Sequence, residues 1–310
     1  VSYFGHSVTS GDFNADGKTD LAIAGYRSSS DAGRVYIFYN DGSIPTTAAS
    51  ADVIITGETS SYLGSSMTSG DFNADGKVDL AIGAREYSSP VGRAYVFYNG
   101  AITTKNASGA DVIITGEGQS SCYYFGSSMT SGDFNADGKI DLAIGAAAAG
   151  AGRAYVFYNG SITTENASGA DAIITGESSS AFGTSMISGD FNSDGKIDLA
   201  ISGPSYASTF FADEGRVYIF YNGAITTENA SGADVIITGE TSSKLGESMA
   251  SGDFNADGKT DLAAGSKYLY RSYIFYNDGS IPTTAATADV VITSETSLDA
   301  GISMVSGDFN

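Results

Sequence analysis

A nine-residue acidic segment returns five times along this chain, and its spacing restricts the fold more than any other feature. It reads DFNADGKTD from Asp12, DFNADGKVD from Asp71, DFNADGKID from Asp133, DFNSDGKID from Asp190 and DFNADGKTD from Asp253. A sixth copy opens at Asp308 and stops at Asn310. The start-to-start intervals are 59, 62, 57, 63 and 55 residues. A fixed period of this kind means one supersecondary unit used repeatedly, each burying its apolar faces against its neighbours. The period exceeds that of a WD40 or kelch blade.

Each period is predicted to hold four short strands. Strand A ends in SVTS or SSMTS, just before the acidic segment, and strand B is DLAIAG, DLAIGA or DLAISG just after it. Strand C is GRVYIFYN, GRAYVFYN or RSYIFYN, and strand D is ADVIITGE or a near variant. These runs are rich in Val, Ile, Tyr and Phe and are bounded by Gly, Asn, Asp and Ser. Strands B and D are apolar almost throughout, which predicts burial on both faces. No long 3.6-residue apolar period occurs, so almost no helix is expected. Four-stranded units in series with covered faces define an all-β fold of the β-propeller kind. The blades are expected at about 1–59, 60–121, 122–178, 179–241 and 242–296, with a partial sixth at 297–310.

All five methionines fall at one repeat position: Met67, Met129, Met186, Met249 and Met304, with Val8 in the first repeat. Exchange with Val argues for packing between blades rather than soft-metal binding. His6, the only histidine, aligns with Ser65, Ser127, Thr184, Glu247 and Ile302, which predicts an ordinary exposed side chain.

The acidic segment has the chemistry of a cation loop. Asp, Asn and Asp stand at positions 1, 3 and 5, Gly at 6 and Asp at 9. Alternate side chains converge as the chain curls, and Gly permits the sharp turn. Position 7 is Lys, so only its carbonyl can serve. An all-oxygen, carboxylate-rich set suits Ca²⁺. The first half is that of an EF-hand. The second is not, because position 12 is Ile23, Ile82, Ile144, Ile201 or Ala264 instead of the bidentate Glu. The competing reading is five polar turns, and recurrence of the same three Asp and one Asn argues against it.

The formal charge of −21 agrees with this reading: five loops hold 15 of the 36 acidic residues, and five Ca²⁺ (five times +2) would bring the charge to −11. Such a chain repels nucleic acid and anionic membrane. No apolar run reaches membrane-spanning length. A single cysteine, Cys122, allows no internal disulfide, so calcium is expected to be the staple of a secreted protein. The chain opens on Val1 rather than Met and reads as a processed or excised piece.

Two further motifs flank the loops. Phe4-Gly5, Phe125-Gly126 and Phe182-Gly183 precede them, weakened to Leu63-Gly64, Leu245-Gly246 and Ala300-Gly301. Gly83-Ala84, Gly145-Ala146 and Gly203-Pro204 follow them, with Ala24-Gly25 and Ala264-Gly265 degenerate. Together these features resemble FG-GAP repeats, as in integrin α-subunit head domains and many bacterial and archaeal surface proteins. The resemblance covers essentially the whole chain. It implies an extracellular location, no direct membrane insertion, and about five Ca²⁺ sites. The implied ligands are Asp12, Asn14, Asp16, Lys18 (carbonyl) and Asp20; Asp71, Asn73, Asp75, Lys77 and Asp79; Asp133, Asn135, Asp137, Lys139 and Asp141; Asp190, Asn192, Asp194, Lys196 and Asp198; and Asp253, Asn255, Asp257, Lys259 and Asp261. Integrin heads close seven blades, whereas five periods and an extra strand A stand here, which predicts a fragment of a longer propeller or array.

By the resemblance the A–B loops lie on a lower face, which places the C–D loops with them and the B–C and D–A loops opposite. The lower loops are near-identical; NASGAD makes Asn106, Asn166 and Asn229 glycosylation sequons, or a turn kept for its shape. The upper loops vary in length and chemistry. Exposed Tyr, Arg and Phe on a rigid scaffold suit recognition. The expected partner face holds Arg85, Tyr87, Tyr123, Tyr124, Tyr206, Phe210, Phe211, Tyr268, Tyr270 and Arg271. The partner is a protein or a glycan. A structural subunit of a surface layer, fibre or appendage, self-associating, is the second reading. A polysaccharide lyase-like enzyme is the third; against it, the chain offers no Ser/His/Asp set and no Cys/His pair.

Overall fold

The computed structural model describes residues 3–99, 102–118, 123–148, 150–160, 162–209, 212–223, 225–295 and 304. Cys122, Phe210, Phe211 and the sixth acidic copy lie outside the described residues. The fold is all-β, with five sheets of four or five strands. The first repeat gives β1 (Phe4–Gly11), β2 (Asp20–Gly25), β3 (Arg34–Phe38) and β4 (Val53–Thr56). The second gives β5 (Met67–Gly70), β6 (Asp79–Ala84), β7 (Arg93–Phe97), β8 (Lys105–Asn106) and β9 (Val112–Thr115). The third gives β10 (Phe125–Gly132), β11 (Asp141–Ala146), β12 (Arg153–Phe157), β13 (Glu165–Asn166) and β14 (Ala172–Thr175). The fourth gives β15 (Met186–Gly189), β16 (Asp198–Gly203), β17 (Arg216–Phe220), β18 (Glu228–Asn229) and β19 (Val235–Thr238). The fifth gives β20 (Leu245–Gly252), β21 (Asp261–Ser266), β22 (Arg271–Phe275) and β23 (Val290–Thr293). Among the described residues, helical structure is confined to a four-residue turn at Ser28–Asp31 and five 3-10 turns.

The chain forms two compact units, one of residues 1–131, 139–146 and 155–171 and the other of 132–138, 147–154 and 172–310. In the first, β1-β2-β3-β4 and β5-β6-β7-β9 are antiparallel meanders. In the second, β15-β16-β17-β19 and β20-β21-β22-β23 repeat the pattern. Strand B is buried at every residue in β6, β11, β16 and β21, as its apolar run predicts. Strand D differs from its expectation: β4, β9 and β14 alternate buried with partly exposed residues, so it is covered on one face only. The outermost strand meets only a short neighbour. That neighbour is a two-residue segment of the following repeat, which adds in parallel: β8 on β4 (Ile55↔Lys105) and β13 on β9 (Ile114↔Glu165) in the first unit, and β18 on β14 (Ile174↔Glu228) in the second. Met67, Met129, Met186 and Met249 are buried, as expected of inter-blade packing. Val8, at the same position, is 53 % exposed.

The two glycine motifs have a steric cause. A Cβ on Gly126 would lie 2.6 Å from the Arg93 carbonyl oxygen and 3.1 Å from the Gly83 Cα, at a φ of +88°. A Cβ on Gly83 would lie 2.1 Å from the Gly126 carbonyl oxygen. The FG glycine of the third repeat therefore seats on the GAP glycine of the second, backbone to backbone, while Gly64 and Gly246 meet the Cβ of Ala24 and Ser202.

A polar clamp repeats alongside. The Glu that closes each strand D accepts from strand C of the next repeat. Glu58 takes the Arg93 Nη1 at 2.8 Å and the Tyr95 hydroxyl at 2.5 Å. Glu177 takes Arg216 at 2.7 Å and Tyr218 at 2.6 Å. Glu240 takes Arg271 and Tyr273, each at 3.1 Å at closest. Glu117 takes Tyr155 at 3.2 Å. Burial, then the Glu58 carboxylate, pushes the Tyr95 hydroxyl well above the usual phenol range. Glu58→Ala strands a buried phenol, so the unfolding free energy is expected to fall by ~1–3 kcal/mol. The check is a lowered urea midpoint with an unchanged m-value; a midpoint that does not move would dismiss the clamp as decoration.

Candidate functional site

The five acidic loops share one geometry. In the first, the Asp16 N–H donates to Asp12 Oδ1 and Asn14 Oδ1, both at 3.0 Å. The Gly17 N–H donates to Asp12 Oδ2 at 2.8 Å, and the Lys18 N–H to Asp16 Oδ1 at 2.9 Å. The second, fourth and fifth loops repeat all four bonds within 0.1 Å. In the third, Asp137 N–H meets Asp133 and Asn135, and Gly138 N–H meets Asp133. The curl needs two left-handed residues: the fourth (Ala15, Ala74, Ala136, Ser193 and Ala256) and the glycine at position 6. Side-chain oxygens 1, 3 and 5 thus turn to the inside of the loop.

Asp20 and its equivalents do something more. Asp20 is buried; its Oδ2 accepts the Phe13 N–H at 2.9 Å and its Oδ1 the Asn40 N–H at 2.8 Å. Asp79, Asp198 and Asp261 bind the same pair of backbone groups, and Asp141 takes the Asn159 N–H. Burial pushes Asp79 and Asp198 up to about 6, against the pull of their two N–H donors. Strand C's terminal Asn then reaches the preceding loop. Asn99 Nδ2 donates to the Asp12 carbonyl at 2.6 Å, Asn159 to Asp71 at 2.7 Å and Asn277 to Asp190 at 3.3 Å, while Asn222 donates to Asp133. Each of the first four acidic loops is thus tied to the next repeat.

Among the described residues no three Asp, Glu, His or Cys side chains converge as a metal cluster. The inward set is two carboxylates and an amide oxygen, with the third carboxylate anchored on backbone N–H groups. A carboxylate or amide oxygen with one N–H partner keeps a lone pair. The donor set therefore fits a hard cation.

At the other end of strand B the loops vary. Tyr87 and Tyr206 lie under the guanidinium groups of Arg93 and Arg216, each at 3.6 Å from the ring centre. Arg271 is engaged by Glu240 and Tyr273. Tyr123 and Tyr124 meet edge to face at 6.4 Å. Tyr268 is 55 % exposed, with the Lys244 Nζ 4.9 Å over its ring, and Tyr270 adopts a φ of +54°. Arg85 lies over Tyr26 at 5.3 Å. His6 is exposed, as its repeat position predicts, and stacks on Tyr26 at 4.2 Å. Asn106, Asn166 and Asn229 are exposed and make no side-chain cap bond to the 3-10 turns they precede.

Repeated four-stranded sheets with such loops define an FG-GAP-type repeat protein. The FG-GAP-like repeat model matches residues 12–82, and the FG-GAP repeat model matches 125–157, 182–220 and 245–281. The chain belongs to the FG-GAP repeat family, of the integrin α type. It is 30% identical over 258 residues to integrin alpha-PS2 of Drosophila melanogaster, covering 77% of this chain and 17% of that protein. It is 34% identical over 155 residues to integrin alpha-M of Mus musculus, covering 47% and 13%. It is also 32% identical over 227 residues to phosphatidylinositol-glycan-specific phospholipase D of Bos taurus, covering 66% and 26%. The chain thus spans about a quarter or less of these relatives, which include an enzyme as well as integrin subunits. A solved structure, the Vibrio cholerae biofilm matrix protein Bap1, aligns over 88% of this chain and 38% of that one, with a TM-score of 0.40 and 15% identity. No helix among the described residues is long and apolar enough to cross a membrane.

Proposed function

We propose that this chain is an extracellular, calcium-stabilised recognition module of the β-propeller class that binds a protein or a glycan and does no chemistry of its own. One observation carries the reading: the ends of the strands differ in kind. Five acidic loops keep one hydrogen-bond pattern to within 0.1 Å, while the opposite loops change in length, ring content and charge. A conserved fastening on one side and diversified Tyr and Arg on the other suit a scaffold that presents a binding surface. Asp12, Asn14 and Asp16, with the Lys18 carbonyl and Asp20, would hold Ca²⁺, as would their equivalents in the other four loops. The ion would supply the positive charge that lets three carboxylates sit together. The integrin relatives support a protein ligand and a cell-surface setting. The sequon asparagines, exposed and uncapped, are open to carry sugar.

The near-identity of the copies favours a second reading, a subunit of a surface layer or fibre. Sedimentation in calcium and then in chelator separates the two. A calcium-stabilised monomer is the expected result. Large ordered assemblies that dissociate on chelation would replace the recognition module with the structural subunit.

A further inference from the structure

We propose that a cleft at the varied-loop end of the first two repeats binds a carboxylate-bearing saccharide. This deepens the recognition reading and rests on it, by naming one site and one ligand class. The cleft has a volume of ≈ 340 Å³ and is walled by Tyr3, His6, Tyr26 and Tyr62, with Arg27, Arg85 and Glu86 among them. That is within the range of small-ligand sites, ~300–1,000 Å³.

Its walls are flat rings and two forked cations, with one carboxylate, Glu86, beside Arg85. His6 and Tyr26 stack at 4.2 Å and 19°, and Tyr62 meets Tyr26 at 5.1 Å. The Arg27 guanidinium lies 5.2 Å from the Tyr62 ring and 5.9 Å from that of Tyr3. It is held in place by the Tyr62 hydroxyl at 3.0 Å and Asp31 at 3.2 Å. Arg85 is different. Its Nε makes no hydrogen bond and meets the Glu86 carboxylate only as a long ion pair at 3.8 Å, while the side chain as a whole is 41% exposed. A part-exposed guanidinium whose only carboxylate contact is this long keeps donors for a closer acceptor. The acceptor matched to a guanidinium fork is a carboxylate.

Ring faces suit the CH faces of a sugar, and phenol and imidazole tips suit its hydroxyls. No aliphatic side chain lines the cleft, so a peptide's apolar anchor or an acyl chain has nothing to bury against. The acidic loops do not spoil the site for an anion. They precede β2 and β6, whereas the cleft follows them. Six strand residues span ~20 Å, at ~3.3 Å each, and charges are screened beyond ~8 Å at physiological ionic strength.

The sole histidine makes the test site-specific. The imidazole NMR signal of His6 is followed in calcium buffer during titration with tri-galacturonate, its methyl ester, sialyllactose and penta-glutamate, with affinities from calorimetry. The expected result is a saturable His6 shift with at least one carboxylated sugar, at least tenfold weaker binding of the corresponding ester, and at least tenfold loss in Arg85→Gln and in Arg27→Gln. Both variants keep the wild-type melting temperature as the control for folding. Binding that leaves the His6 signal still and survives Arg85→Gln would overturn this site while leaving recognition by other loops standing. Tighter binding of penta-glutamate than of either sugar would replace the saccharide with an acidic peptide. No binding by any probe would overturn the proposal.

Discussion

Exhaustive chelation is expected to lower the melting temperature of this chain by about 4–14 °C, and calcium at 1 mM should restore it. The size follows from mass action. Extracellular calcium modules bind with dissociation constants of ~10⁻⁴–10⁻³ M. At 1 mM ion each such site contributes roughly 0.4–1.4 kcal/mol. Five independent sites give roughly 2–7 kcal/mol, a large part of the ~5–15 kcal/mol that holds a domain together. At about 2 °C per kcal/mol for a chain of this size, the shift is about 4–14 °C. Electrostatics acts in the same direction. Without an ion, the carboxylates at positions 1, 5 and 9 repel one another in each loop.

The ion's effect should also pass between repeats. Asn99 is anchored through the Asp79 carboxylate and reaches the Asp12 carbonyl of the preceding loop. Fixing that loop fixes the acceptor on which the next repeat hangs. Asn99→Ala is therefore expected to reduce the stability gained from calcium as well as the stability of the apo protein. Differential scanning calorimetry in calcium and in chelator reads both. A melting temperature indifferent to chelation would remove calcium from the account, and the loops would then be turns closed by their own backbone bonds.

What the sequence disclosed was whatever is local and repeated. Strand B is a six-residue apolar run, and the acidic curl needs only nine residues of Asp, Asn and Gly in order. Their neighbours were legible because they recur in register. Contacts between repeats were harder. Glu58 and Tyr95 stand 37 residues apart, and nothing in either segment alone names the other. A signal was present: Glu closes strand D in all of the first four repeats, and Arg opens strand C in every one. An acid and a base retained at fixed positions in every copy invite pairing. Without that step Tyr87 and Tyr206 read as free recognition rings, when each has one face covered by the clamp arginine. The cleft at Tyr26 was hidden for the opposite reason. Repeat comparison looks for what copies share, and His6, Tyr26 and Arg27 are what they do not share; Tyr62 aligns with Tyr3 and Tyr124. Strand D was misread because composition reports hydrophobicity but not what lies beyond the sheet edge. Only the two-residue parallel partners at β8, β13 and β18 reveal that.

Gly92→Ala is expected to be among the most damaging single-methyl changes available in this chain, with a loss of more than about 4 kcal/mol, in the range reserved for exceptional sites. Two penalties coincide at this residue. Its φ is +81°, where an L side chain is strained. The added Cβ would also stand 2.2 Å from the Phe125 carbonyl oxygen and 2.6 Å from the Phe125 nitrogen. Both are backbone atoms of the next repeat's FG motif, joined to Gly92 by a parallel bridge, so no side chain can swing aside. Gly92 is also tied down on its own side, donating to the Tyr87 carbonyl at 2.9 Å and accepting from Gly116 at 3.0 Å. Relief would require opening the seam between the repeats. Two companion variants separate the causes. Gly42 has a φ of +123° with open space around it, so Gly42→Ala should cost only the strain, about 1–3 kcal/mol. Gly109 has no positive φ, and its Cβ would make an ordinary 3.6 Å contact with Lys105, so Gly109→Ala should stay within about 0.5 kcal/mol of wild type. Urea unfolding of the three variants should rank them in that order. If Gly92→Ala proved no worse than Gly42→Ala, strain alone would explain it, and the close backbone seam would not be what the strand C glycine is kept for.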